Sequence, residues 1–457
     1  MRRSVDHPLG FALAAVLLGL VSSGGTSQAE SLQPNLVVIL TDDQGYGDVS
    51  AYGATDVQTP NIDRIGTEGM LFTAMRANAT VCSPSRAALL TGRFADRVGV
   101  PGVIRTDPSD SWGWFDPHVP TLADVLGEAG YETALIGKWH LGLESPNTPN
   151  ERGFAYFYGF LGDMMDSYTT HRRHGQNLMR HNSAEIDPPG HATDIFSDQA
   201  VAYIRDRAAG KGRPFFLYLA YNAPHFPIEP PASWLADVRQ RLPALEEKRA
   251  KAVALIEHLD AGIGRVLAAL DETGLADHTV VVFSSDNGGS LRHAQCNAPW
   301  RGGKQDHYDG GLRVPFMVRW PARIPVESRT DHAGLLFDVF PTFTELAGIA
   351  PGEGLDALSL VPVLTGTEAS SARELYFVRR EGGLRYGGNA YEALIHGDWK
   401  ILRNDPYSPL ELYNIAADPS EQRNLAAEHR GKREELAARL RRHVQRGGGT
   451  PWQPPNH

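Results

Sequence analysis

The sequence predicts an α/β protein: a large, mostly parallel or mixed sheet sandwiched by helices, then a smaller C-terminal antiparallel sheet with one helix. Three observations carry this. Short, continuous apolar runs rich in β-branched residues recur along the chain, each closed by polar residues. Stretches with apolar residues at three- and four-residue steps lie between them. Beyond residue 366 the pattern changes to short strand-like runs and a closing charged helix.

In chain order, the N-terminus comes first. Arg2 and Arg3 precede the apolar stretch Phe11 to Val21, and Ser27-Gln28-Ala29 is a small-x-small cleavage site. Residues 1–29 read as an export signal. The stretch is short for a membrane span. The expectation is a mature protein without a stable membrane anchor, periplasmic or extracellular.

Leu36 to Leu40 (LVVIL) lies between Pro34 and Thr41-Asp42-Asp43 and reads as a buried parallel strand. Thr133 to Ile136 leads into Gly137-Lys138-Trp139-His140, and Phe215 to Leu219 (FFLYL) ends near Pro224-His225. Val253, Ile256, Leu259, Ile263, Val266 and Leu270 mark one helix face. Val280 to Phe283 ends in Ser284-Ser285-Asp286-Asn287. Strands alternating with helices imply a largely parallel sheet covered on both faces. Ligands of such sheets bind beyond the carboxyl ends of the strands, where these polar residues gather.

Gly366 to Arg373 (GTEASSAR) reads as a linker. Leu375 to Val378 and Trp399 to Leu402 read as strands separated by Gly-rich turns, and a charged helix runs from Lys432 to Gln445. The expected division is a catalytic domain over 30–365 and a small α+β domain over 374–446, with a loose Gly/Pro-rich tail. A length of 457 residues suits this plan. The net charge of -10 argues against a nucleic-acid partner.

Chemistry concentrates around one of the two cysteines, Cys82 and Cys296. In Cys82-Ser83-Pro84-Ser85-Arg86, Ser83 suits an N-cap and Pro84 a first helical position; Gly92 suits the C-cap. A helix starting beside Cys82 favours an anion there, and Arg86 lies one turn on. Asp42, Asp43, Asp286 and Asn287 form an oxygen-only ligand set that suits Ca²⁺ or Mg²⁺. Lys138 and His140, two apart after a strand-like run, would point to one face. Taken singly, each has a bland reading: an inert buried thiol, a carboxylate capping a turn, or a solvated base.

Cys-x-Pro-Ser-Arg-x(4)-Thr-Gly, met in full by Cys82 to Gly92, resembles the signature of the type I, formylglycine-dependent sulfatases, arylsulfatase-like members of the alkaline-phosphatase-like superfamily. Pro34 to Asp48, Thr59 to Phe72, Gly137 to His140, Asp286 to Gly288, Trp300 to Pro315 and Leu412 to Leu425 resemble other blocks of the family, so the likeness covers nearly the whole mature chain. It implies hydrolysis of a sulfate ester, either an aryl sulfate or, in nature, a sulfated carbohydrate. A formylglycine-generating enzyme would oxidise Cys82, and the hydrated aldehyde would be the nucleophile. One Ca²⁺ per chain would sit on Asp42, Asp43, Asp286, Asn287 and position 82 itself. Lys304 and His225 would stabilise or protonate the leaving oxygen, and His140 would take the proton that expels sulfate. Lys138 and Arg86 would hold charge and orient the nucleophile. That division answers what the reaction needs: a cationic clamp, an acid and a base.

Two positions depart from the family pattern: Asp309, where glutamate is commoner, and Ala357, after Asp356. Both are expected to be peripheral to the chemistry. The basic segment His171 to His174, with Arg180, His181 and His191, would be either a solvated loop or a clamp for a second anion. Asp163, Asp166, Tyr168 and Trp112 are possible pocket-wall residues. Two rival readings stay open: a phosphonate monoester or phosphodiester hydrolase of the same superfamily, and a non-catalytic protein that binds sulfated glycans.

Overall fold

The computed structural model describes residues 33–210, 212–350, 352–367, 373–381 and 389–454. The expected export signal and most of the expected linker lie outside the described residues.

Strand Asn35–Thr41 is the spine of a ten-stranded mixed sheet. It pairs in parallel with Thr279–Ser285 on one side and with Phe215–Ala220 on the other. Phe215–Ala220 pairs in parallel with Glu132–Lys138, and that strand with Tyr156–Phe160. Antiparallel strands such as Phe316–Arg319 extend the sheet toward its edges.

The LVVIL run is buried on both faces because consecutive side chains point to opposite sides. Leu36, Val38 and Leu40 enter one core with Leu89 and Leu90 of helix Cys82–Thr91. Val37 and Ile39 enter the other with Leu255, Leu259, Ile263 and Leu270 of helix Glu247–Glu272. Each such aliphatic burial is worth about 1.5–3 kcal/mol. The outer part of the long helix turns Val253 and Ile256 toward Val57 and Val238 in a separate small cluster.

Register decides where the polar strand ends meet. Thr41 stands opposite Ser285, Leu40 opposite Ala220, and Ala220 opposite Gly137. Asp42-Asp43, Asp286-Asn287 and Lys138 therefore leave the sheet along one edge. Gly137 has φ +107°, and a Cβ there would lie 2.0 Å from the carbonyl oxygen of Ala220. Only glycine permits that approach beside Lys138.

The helix after residue 82 begins earlier than its sequence suggests. It spans Cys82–Thr91, with Val81 at the N-cap and no side-chain cap bond. Ser83 is inside the first turn, and its Oγ instead accepts the backbone N–H of Ile104 at 3.0 Å. A tertiary hydrogen bond has replaced the expected cap. Pro84 still falls in the first turn, where a missing N–H costs nothing. Gly92 closes the helix in the left-handed region, as expected.

Strands Glu374–Glu381, Asn389–His396, Trp399–Arg403 and Glu411–Asn414 form an antiparallel sheet in sequential order. Helix Arg430–Gly447 covers it with Leu436, Ala437 and Leu440. Their core is continuous with Ala88, Phe94, Leu312 and Phe337 of the larger layer, and the described residues form one compact unit.

Candidate active site

Cys82 occupies the first turn of its helix and is buried. Its Sγ lies 3.3 Å from Asp42 Oδ1, 3.9 Å from Asp43 Oδ1 and 3.6 Å from Lys304 Nζ. Lys138 Nζ donates to Asp42 Oδ2 at 2.6 Å, and Lys304 Nζ lies 2.7 Å from the Asp43 carboxylate. Arg86 turns Nε and Nη2 onto Asp286 Oδ2 at 3.0 and 2.7 Å. The other oxygen of Asp286 accepts the backbone N–H of Asp43. Asn287 Nδ2 donates to Asp43 Oδ1 at 2.8 Å, while its Oδ1 is buried without a hydrogen-bond partner.

The two histidines arrive from different directions. His140 lies two residues beyond the end of strand Glu132–Lys138 and has φ 62°. Strand alternation therefore does not align it with Lys138; a left-handed residue turns it into the site. Its Nε2 lies 2.8 Å from the carbonyl of Ile104, which can only accept, so Nε2 carries the proton. Nδ1 is then a bare acceptor, buried and unpartnered. His225 holds Nδ1 against the carbonyl of Phe226 at 2.7 Å and Nε2 3.6 Å from Asp43 Oδ2. One ligating atom from each of Asp42, Asp43, Cys82 and His225 falls within 4.8 Å of the others.

Burial and charge set the protonation states. Burial, then the Asp286 and Asp42 charges, push the Cys82 thiol well up, so the unmodified side chain stays protonated and is a poor nucleophile. Burial opposes ionisation of Asp42, but Lys138, His225, Arg86 and Lys304 hold its carboxyl well below the usual range. Burial and the Asp42 charge raise Asp286 to about 6. Burial and Lys304 lower His225 to about 4, and burial with Lys138 and Arg86 lowers His140 as well. Both rings are neutral near pH 7. Burial opposes the charge on Lys304, yet Asp43 raises its pKa.

These groups lie at or beneath the floor of a cavity of about 780 Å³, within the range that takes a small-molecule ligand. Of the basic segment, Arg173 and His174 reach its wall. Arg173 is already spent on Asp163 at 3.0 Å and Asp166 at 2.9 Å, and Arg172 on Asp187, so the segment is not a bank of free cations. Asp163 lines the cavity, whereas Trp112 stacks on Trp452 at 4.5 Å and Tyr168 is buried, its hydroxyl on the carbonyls of Asn222 and His225. Asp309, one of the two departures from the family pattern, is a buried hub: Arg76, Arg313 and Lys400 lie 2.6, 2.7 and 2.9 Å from its carboxylate. It joins the segment before Cys82 to the C-terminal sheet. Cys296 is a free thiol.

Sequence reasoning missed Arg105, Phe226, Arg292, Arg379 and Glu381, all on the cavity wall. Phe226 had a usable signal, its place beside His225; Arg379 and Glu381 belong to the C-terminal sheet and had none.

A family profile described as Sulfatase matches residues 34–349, and one described as N-sulphoglucosamine sulphohydrolase, C-terminal, matches residues 303–447. The N-acetylgalactosamine-6-sulfatase of Canis lupus familiaris is 32% identical over 81% of this chain and 73% of its own length. Arylsulfatase A of Bos taurus is 32% identical over 87% of this chain and 84% of its own. The crystal structure of Ps i-CgsB in complex with k-i-k-neocarrahexaose is 30% identical with a TM-score of 0.83, over 93% of this chain and 95% of that one. The Sulfatase profile spans well over half of the sequence, the site residues converge at the carboxyl edge of the sheet, and this chain belongs to the sulfatase family of sulfuric ester hydrolases.

Proposed function

We propose that the chain hydrolyses a sulfate ester of a carbohydrate, with Cys82 matured to formylglycine and one Ca²⁺ held by Asp42, Asp43, Asp286, Asn287 and position 82. The observation that carries this is the convergence of the Cys82 side chain with Asp43 and Lys304 on the cavity floor and with Asp42 beneath it. The names of the relatives, which include an N-acetylgalactosamine-6-sulfatase and a structure holding a neocarrahexaose, favour a sugar as the alcohol.

The residues fit a hard divalent cation. Three buried carboxylates supply oxygen, and the orphaned Oδ1 of Asn287 is an acceptor in need of a partner. A cation there would neutralise sulfate oxygens and orient the ester. Arg86, Lys138 and Lys304 already balance Asp42, Asp43 and Asp286, so a divalent ion would leave the site positive, as an anionic ester requires. The matured residue would supply an aldehyde hydrate as nucleophile.

The remaining roles follow from proton positions. Lys304 carries its proton firmly and stands beside position 82, which supports it as the donor to the leaving oxygen. His225 has committed its Nδ1–H to Phe226 and is neutral, so its Nε2 has no proton to give. That favours Lys304 over His225 as the acid, with His225 placed to accept a hydrogen bond. His140 offers a bare Nδ1, which supports it as the base that releases sulfate. Arg86 and Lys138 fix the carboxylates around position 82.

Maturation by a formylglycine-generating enzyme and export through residues 1–29 belong to the same proposal. Among the described residues, no helix is long and apolar enough to cross a membrane. The test is expression beside a formylglycine-generating enzyme, followed by mass analysis of the tryptic peptide Ala77 to Arg86. Turnover of nitrophenyl sulfate, of monosulfated sugars and of a nitrophenyl phosphodiester is then compared. Aldehyde at position 82 with sulfate release supports the reading. Aldehyde with phosphodiester turnover alone, or with no turnover at all, refutes it.

A further inference from the structure

The cavity wall carries charge, but most of that charge is spent. Arg105 pairs with Glu381 at 2.8 Å, Arg379 with Glu381 at 3.0 Å, and Arg173 with Asp163 at 3.0 Å. Of the arginines lining the cavity, Arg292 alone has no ion pair among the described residues, and it sits exposed at the rim. A polyanionic ligand would need unpaired cations along the wall. Paired arginines and carboxylates instead present hydrogen-bond donors and acceptors at little net charge, which suits the hydroxyls of a neutral ring.

Glu381 is the most committed member of this wall. It ends the first strand of the C-terminal sheet, lines the cavity and is 1% exposed. Its Oε2 takes both Arg105 and Arg379, while its Oε1 has no hydrogen-bond partner. Burial opposes its ionisation, yet Arg379 and Arg105 hold its carboxyl below the usual range. An ionised carboxylate only accepts. A buried acceptor without a donor is costly, by about 1–3 kcal/mol, and its presence asks for a ligand that supplies one.

We propose that Glu381 is a specificity-determining residue of a sugar-hydroxyl subsite: its Oε1 accepts a hydrogen bond from a hydroxyl of a ring that carries its sulfate to position 82 and no anion toward the C-terminal sheet. This rests on the sulfatase reading above and names what the site reads beyond the sulfate. The C-terminal sheet is then part of substrate recognition. A second sulfate or a carboxylate next to Glu381 would be repelled; one beside Arg292 would meet an unpaired cation.

The experiment uses full-length protein with formylglycine verified at position 82. Wild type and Glu381→Gln are assayed on nitrophenyl sulfate and on monosulfated galactose, N-acetylgalactosamine and N-acetylglucosamine. For the best sugar, the ratio of kcat/KM for sugar over aryl sulfate should fall at least about tenfold in the variant, mainly through KM, as expected for loss of a charge-assisted hydrogen bond. Monodeoxy analogues of that sugar test the same bond without altering the protein. One of them should lose a similar factor with wild type and little more with Glu381→Gln. An unchanged ratio, or losses that simply add, overturns the proposal. So does an enzyme active on aryl sulfate and on no sugar of the panel. A matured wild type inactive on every sulfate refutes the sulfatase reading itself, a result distinct from these.

Discussion

Asp43 and Asp286 leave neighbouring parallel strands and meet through a backbone hydrogen bond, Asp43 N–H to Asp286 Oδ1 at 3.1 Å. The contact follows from register, since Thr41 and Ser285 are paired across the strands. It spans 243 residues of sequence and fixes two carboxylates side by side before any ligand arrives. Arg86 then clamps the free oxygen of Asp286 with two nitrogens. The helix after Cys82 is thereby locked to the end of strand Thr279–Ser285.

Arg86→Ala removes the cation that holds Asp286 and leaves a fully buried carboxylate without it. Breaking a buried pair from one side typically costs about 3–5 kcal/mol. The expected outcome is a loss of that order in urea unfolding together with near-complete loss of sulfate release. Arg86→Lys should rescue only part of either, because one ammonium cannot reproduce the guanidinium fork. Full stability in Arg86→Ala would mean that the pair does not hold the site.

Much of this was legible in the sequence because the informative signals were local. LVVIL, FFLYL and VVVF are strands in the structure, and the polar pairs Asp42-Asp43 and Asp286-Asn287 lie at the carboxyl edge. Signals that depend on a distant partner were misread. Ser83 has the chemistry of a cap, but the Ile104 N–H, 21 residues away in sequence, claims its hydroxyl. Asp309 differs from a glutamate by one methylene, and nothing near it in sequence announces Lys400, 91 residues on. Lys138 and His140 reach one site, the second through a positive φ that an alternating strand pattern does not encode.

Chelation tests the oxygen cluster. If Asp42, Asp43, Asp286 and Asn287 hold Ca²⁺, exhaustive dialysis against EGTA should lower Tm by several degrees and abolish turnover. Restoring Ca²⁺ should recover both, since a ligand that binds only the folded state stabilises it by mass action. Asn287→Ala should raise the Ca²⁺ concentration needed for recovery about tenfold or more, as expected for loss of one oxygen ligand. Undiminished activity in protein shown by elemental analysis to contain no divalent metal would count against the assignment.

Acid sensitivity should trace in part to His307. It is fully buried, and burial with Arg379 and Lys400 lowers its pKa from 6.5 to about 3, with Asn404 opposing the shift. The unfolded chain binds a proton below 6.5 that the folded chain refuses. Stability is therefore intact above 6.5 and falls as pH drops toward 3, by up to about 1.4 kcal/mol per pH unit from this group alone. His307→Phe should shrink the loss of unfolding free energy between pH 7 and pH 5, measured in urea. An identical loss in variant and wild type would assign the acid sensitivity to other groups.

The Asp309 hub gives the sharpest test of how the two sheets depend on each other. Its carboxylate is shared by Arg76, Arg313 and Lys400, and burial is overcome by these cations, which hold its pKa well below the ordinary range. Its backbone N–H donates to Glu421 Oε2 at 2.6 Å, a second tie to the C-terminal part of the chain. Asp309→Ala would leave Arg76 and Arg313 without their carboxylate, while Lys400 would keep Glu421 at 2.8 Å, and should cost about 3–5 kcal/mol. Lys400→Met removes one of the cations on Asp309, leaves two there, and takes the ammonium from buried Glu421, so it should destabilise as well. In the double variant the losses should fall short of additive by about 0.5–3 kcal/mol, the coupling expected of residues in contact. Strict additivity would show that the sheet and the segment before Cys82 are held together by apolar packing, with the ion cluster contributing nothing between them.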